Sequence, residues 1–124
     1  MSHDELSITI STKDEGTTVV FTLVGSLDIA TSPSVRAALL QESSEGKRDA
    51  IVDLTRVEFL DSTGLGALIG AHKRALDNGT DVRLVVSEGP IARLLSITGL
   101  TKIFAIYPTL KAALAGTDKV AELA

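Results

Sequence analysis

The sequence predicts a single α/β domain: a mixed β-sheet, opened by an N-terminal antiparallel hairpin and continued by parallel strands, packed with about four α-helices. Three observations lead there. Two apolar runs near the start are separated by Lys13-Asp14-Glu15-Gly16, the pattern of a hairpin. From Ala50 onward, short apolar runs alternate with stretches of helical period, which implies parallel strands joined by crossover helices. No linker or repeat divides the 124 residues, and aromatics make up only 3%, so the core must be aliphatic. One domain over residues 1–124 is expected, with its core at about 5–116 and a tail at 117–124 that frays.

Leu6 to Ser11 alternates, with Leu6, Ile8 and Ile10 on one side, and reads as the first strand. Thr17 to Val24 is the second, broken by Gly25-Ser26. Ser32-Pro33 marks the start of a helix with Val35, Ala38 and Leu39 inward, ending near Ser43 or Ser44. Ala50 to Leu54 fits a strand buried on both faces, and Thr55 to Leu60 is read as a loop. Ser62 to Leu76 is a helix with Leu65, Leu68, Ile69, His72 and Leu76 toward the sheet, stopped by Asn78-Gly79. Asp81 to Val86 is a further strand. A helix opened by Glu88-Gly89-Pro90 follows, with Ile91, Leu94, Leu95 and Thr98 inward and Gly99 as its stop. Thr101 to Ile106 holds a last strand. Pro108 opens a terminal helix with Leu110, Ala113 and Leu114 inward, which Val120 and Leu123 could extend.

Composition excludes several function classes. There is no cysteine, hence no disulfide, thiolate metal site or thiol nucleophile. Met1 to Leu6 lacks the apolar core of a signal peptide, and no apolar run reaches the roughly 20 residues that span a bilayer. A cytoplasmic protein without membrane insertion is the expectation. Net charge is −4 and the cations are scattered, so no basic face offers itself to nucleic acid. The two histidines, His3 and His72, leave little for metal or acid–base chemistry, and no cofactor is expected.

The candidate site is the junction Asp61-Ser62-Thr63-Gly64, where hydroxyls stand at a helix start. As a nucleophile Ser62 lacks the flanking glycines of an elbow motif. His72 lies ~15 Å further along the same helix and cannot serve as its base. Gly64, Gly66 and Gly70 brush against a dinucleotide fingerprint but follow the apolar strand too late. Gly66 and Gly70 share a helix face, where a close neighbour, the sheet or a partner protein, would explain them. A hydroxyl at an exposed helix N-terminus suits phosphorylation: the modification adds about −1.5 to −2 charge, and the helix amides tolerate an anion. The plainer reading is that Ser, Thr and Asp at such a start simply cap the helix. Asp53 reads as structural, His72 as a packing residue, and Lys73-Arg74 as a solvated face.

Ile51-Val52-Asp53-Leu54, then Phe59-Leu60-Asp61-Ser62-Thr63-Gly64-Leu65-Gly66 and Gly70, resemble the anti-sigma factor antagonists of the STAS-domain family. So do Gly25-Ser26-Leu27-Asp28 upstream, and Ile91 to Leu100 with Phe104 downstream. The resemblance implies a switch protein and not an enzyme. Its unphosphorylated form would bind an anti-sigma factor serine kinase and release the sigma factor for transcription, as in stress responses. Phosphorylation on Ser62, with Thr63 as second candidate, would end that binding, and a PP2C-type phosphatase would restore it. The implied partner surface is Asp28, Asp61, Ser62, Thr63, Gly64 and Gly66, with room left for a homodimer; the plainer reading of Asp28 is an Asx turn or cap before Thr31. Ser26 stands where the family commonly has Glu, which bears on partner identity more than on fold. The alternative is a small STAS subunit of a lipid-transport ABC system, or another interaction module independent of phosphorylation.

Overall fold

The computed structural model describes residues 8–45 and 48–116. Leu6, His3, Val120 and Leu123 lie outside the described residues, as does the tail expected to fray. The elements run β1 (Ile8–Glu15), β2 (Thr18–Leu27), α1 (Ser32–Glu45), β3 (Asp49–Leu60), α2 (Ser62–Asn78), β4 (Val82–Val85), α3 (Pro90–Ile97), β5 (Ala105–Tyr107) and α4 (Leu110–Ala115). A 3-10 turn, Leu100–Lys102, separates α3 from β5.

The strands form one sheet in chain order, β1 antiparallel to β2 and every later pair parallel. This is the expected mixed sheet. Strands that advance in one direction by parallel crossovers of one hand put their connecting helices on the same face. Accordingly Val35 and Leu39 of α1, Leu65 and Leu68 of α2, and Leu95 of α3 share one buried cluster with Phe21, Leu23, Val52, Leu54, Leu84 and Ile106 of the sheet. The alternate residues Val20, Ile51, Val85 and Tyr107 point the other way, under Ala112 and Ala113 of α4. Arg83 ties α4 down: its Nη1 donates to the Ala113 carbonyl at 2.8 Å, and its guanidinium meets Asp49 at 3.3 Å and Asp81 at 3.6 Å.

Several boundaries differ from the sequence reading, each for a local reason. Lys13-Asp14-Glu15 is not a turn but the end of β1, paired with Val20, Val19 and Thr18. Gly16 at φ 77° lets the hairpin close over Gly16-Thr17 alone. The larger correction concerns β2 and β3. Gly25-Ser26 does not end β2, and Thr55 to Leu60 is not a loop: Gly25 pairs with Val57, Ser26 with Phe59 and Leu27 with Leu60. β3 takes three steps (Asp53 to Arg56) against two on β2 (Thr22 to Val24), then two (Val57 to Phe59) against one (Gly25 to Ser26). Each extra residue is a bulge, which resets the alternation. Hence Leu54, Val57 and Leu60 are all buried at a spacing of three, a pattern that does not read as a strand.

On the helices, Leu76 is 64% exposed, because the buried face of α2 centres on Leu68, Ala71 and Ala75. Thr98 is exposed as the C-cap of α3, its hydroxyl donating to the Leu94 carbonyl at 2.7 Å. Leu114 is exposed beside the inward Ala112 and Ala113. α4 starts after Pro108, with Thr109 as its N-cap accepting from the Ala112 amide at 3.1 Å.

Candidate functional site

β3 delivers the site. Its last residue, Leu60, is buried, and the backbone then turns directly into α2 through Asp61. Asp61 is the N-cap, with extended backbone (φ −110°, ψ −175°), and its carboxylate accepts from the Gly64 amide at 2.9 Å. The aspartate therefore caps the helix, and the plainer reading of Ser62 as the capping hydroxyl is corrected. Ser62 is the first helical residue and is exposed, whereas Thr63 is half-buried. Its position within the first turn exposes Ser62 to the partial positive charge of unpaired helix amides.

Gly64 fixes where this turn lies. A Cβ there would stand 2.5 Å from the Leu27 carbonyl oxygen and 2.8 Å from Leu27 Cγ and Leu60 Cδ1. Only glycine allows α2 to start so close to the end of β2. The Asp61 amide, 3.3 Å from the same Leu27 carbonyl, adds a second tie. The β2–α1 loop is thereby held beside Ser62.

That loop is a rigid hydrogen-bonded clasp. Asp28 is buried, and its Oδ1 accepts from the amides of Ala30 at 2.9 Å and Thr31 at 3.1 Å. The Thr31 hydroxyl donates to the Ser26 carbonyl at 2.6 Å and accepts from the Asp28 amide at 2.9 Å. The Asp28 carboxylate is thus committed to an Asx turn and shapes the surface from beneath. What the clasp presents is Ile29, 73% exposed at its apex. Phe59, 53% exposed and paired with Ser26, is a second apolar residue in this region. Sequence reasoning missed both. Their signal was an isoleucine inside an aspartate turn and a phenylalanine adjoining buried Leu60.

The small residues further along α2 divide. A Cβ at Gly66 would meet nothing within 4 Å, so neither the sheet nor any described neighbour calls for glycine there. At Gly70 the nearest atom is Arg74 Nη1 at 3.5 Å, a side chain of the helix itself folded back one turn. His72 packs against Phe104, ring centroids 5.2 Å apart, in agreement with its reading as a packing residue. Among the described residues no three His, Asp or Glu cluster as a metal site would require. No helix there is long and apolar enough to cross a membrane.

Comparison with known proteins agrees with the fold. The STAS domain family model matches residues 9–113. An anti-sigma-B factor antagonist of Staphylococcus aureus is 37% identical over 76 residues, covering 61% of this chain and 70% of the relative. The crystal structure of an anti-sigma factor antagonist from Mycobacterium paratuberculosis superposes with a TM-score of 0.80 at 29% identity, covering 88% of this chain and 92% of that one. The Bacillus cell fate determinant SpoIIAA, solved in its phosphorylated form, shares the fold with a TM-score of 0.69 at 22% identity, over 87% of this chain and 98% of that one.

Proposed function

The chain belongs to the STAS-domain family, and on that premise we propose that it is an anti-sigma factor antagonist switched at Ser62. In its unphosphorylated form it binds an anti-sigma factor serine kinase in the cytoplasm and frees the sigma factor. Phosphorylation by that kinase ends the complex, and a PP2C-type phosphatase restores it. The chain acts as a ligand and substrate and not as an enzyme. The observation that carries this reading is the exposure of Ser62 at the N-terminus of α2, on a turn whose side-chain cap is Asp61, bonded to the Gly64 amide.

Physical chemistry accounts for a switch without refolding. Capping and wedging belong to Asp61 and Gly64, so a phosphate on Ser62 replaces no bond that holds the fold. It adds about −1.5 to −2 charge next to the Asp61 carboxylate and meets a docked partner with bulk and repulsion. Thr63, half-buried, is the less accessible acceptor.

Incubation with the cognate kinase and ATP, followed by site mapping, tests the proposal. Phosphate is expected on Ser62 in the native chain. Ser62→Ala should lose modification while keeping kinase affinity and stability, the latter within about 0.5 kcal/mol as for surface substitutions generally. Ser62→Asp should weaken binding, and unchanged affinity in that variant would count against the electrostatic switch.

A further inference from the structure

We propose that the free edge of β3 is a docking groove for an extended basic segment of the same partner that engages Ser62. The inference rests on the antagonist reading above and specifies how the partner holds on.

The groove arises from a mismatch in strand lengths. β4 pairs with β3 only from Ala50 to Asp53, opposite Val82 to Val85. β3 then continues to Leu60 with β2 on one side and, among the described residues, no strand on the other. β4 ends at Val85, and the Val86 amide bonds to the Tyr107 carbonyl at 3.0 Å, on the β5 side. From there the chain diverges through Ser87 to Gly89 into α3, leaving a cleft of about 180 Å³.

Its lining defines its occupant. Its floor is apolar, with Leu54, Val57 and Val86 buried and Ile91 half-buried, while Glu58 and Glu88 are exposed beside them. Among the described residues no lysine or arginine lines the cleft. Arg56, on the same strand, is not among the lining residues. The Thr55 amide is already taken by Asp53 Oδ1 at 2.9 Å, so a docked strand would pair with the backbone beyond it. Strand addition supplies main-chain hydrogen bonds, and alternate side-chain pockets supply selectivity.

Charge excludes one occupant and favours another. A second copy laid on this edge would bring acidic rims together in a chain of net charge −4, and inward or edge charges of this kind deter self-pairing. A basic segment relieves the same charges. Continuity places the occupant: β3 ends at Leu60, and Ser62 follows two residues later. A strand of about six residues, roughly 20 Å long, would span the groove and lead to the switch residue.

The test compares native chain and the double variant Glu58→Lys/Glu88→Lys for binding to the recombinant anti-sigma kinase, with Glu58→Gln/Glu88→Gln as a second variant. Both positions are exposed, and thermal melts verify folding. The reversal should weaken binding by about tenfold or more at low salt and flatten its salt dependence, with the neutral variant between. Hydrogen exchange at the amides of Arg56 to Phe59 should slow in the native complex. Undiminished affinity in both variants, or exchange there unaltered by the kinase, overturns the groove while leaving the antagonist reading intact. Dimerisation of the free chain through this edge also overturns it. Failure of the native chain to bind any cognate kinase overturns the antagonist reading and the groove together.

Discussion

The two halves of β3 are one continuous strand with opposite duties. From Ala50 to Asp53 it is sandwiched between β2 and β4, and Ile51 and Val52 are fully buried on opposite faces. From Thr55 to Leu60 it pairs with β2 alone, bulges twice, and exposes Thr55, Arg56, Glu58 and Phe59. The first half stabilises the domain through apolar area. The second spends regularity on presentation, since each bulge re-aims side chains and the strand's end fixes Asp61 and Ser62. The difference teaches that Ser62, the proposed switch residue, is positioned by a strand and not carried on a loop, so a partner docking there would meet a pre-formed surface.

Substitutions can break this contrast or sharpen it. The largest loss is expected in the first half: Ile51→Ala should destabilise by about 2–5 kcal/mol in urea unfolding, because it leaves a cavity between the sheet and α4. At the junction, Gly64→Ala should cost about 1–3 kcal/mol, since the new methyl meets the Leu27 carbonyl, a backbone atom that cannot rotate away. Amide exchange should then rise in the first turn of α2. Asp61→Ala should cost about 1 kcal/mol through the lost cap, and a melt on a Ser62→Ala background should give the same decrement if Ser62 plays no capping part. Smallest, and of opposite sign, Gly66→Ala should stabilise by up to about 1 kcal/mol, as the added methyl meets open space. A fall in kinase affinity in this stabilised variant would identify Gly66 as room kept for a partner backbone. An unchanged affinity would restrict the docking surface to the strand end and the clasp.

Much of this was legible from residues. Alternation, short apolar runs, helical spacing and Pro or Gly signals found every strand and helix of the described residues though not all their bounds, Gly79 stopped α2 in the left-handed region as expected (φ 73°), and the junction at Ser62 stood out by its own residue types. The bulges were not legible, because an inserted residue destroys the alternation by which a strand is recognised. Nor was the division among glycines. Gly64 and Gly66 look alike in sequence, yet one faces the Leu27 carbonyl and the other solvent. Arg74 makes the same point: its Nε and Nη2 are buried without a hydrogen-bond partner among the described residues, although the sequence suggested a solvated face.

The sequence by itself determined the α/β class, the order of elements and the family, since these follow from local periodicity, turn residues and a contiguous motif. Tertiary structure decided who caps, who wedges and who is displayed. Asp61 took the cap from Ser62, Gly64 drew the β2–α1 clasp alongside, and Asp28 turned inward so that Ile29 stands out. The reason is physical: the cap and the aspartate turn are local bonds whose donors lie two or three residues away, but the wedge depends on the distance between Leu27 and Gly64, more than thirty positions apart, which only the packed sheet sets.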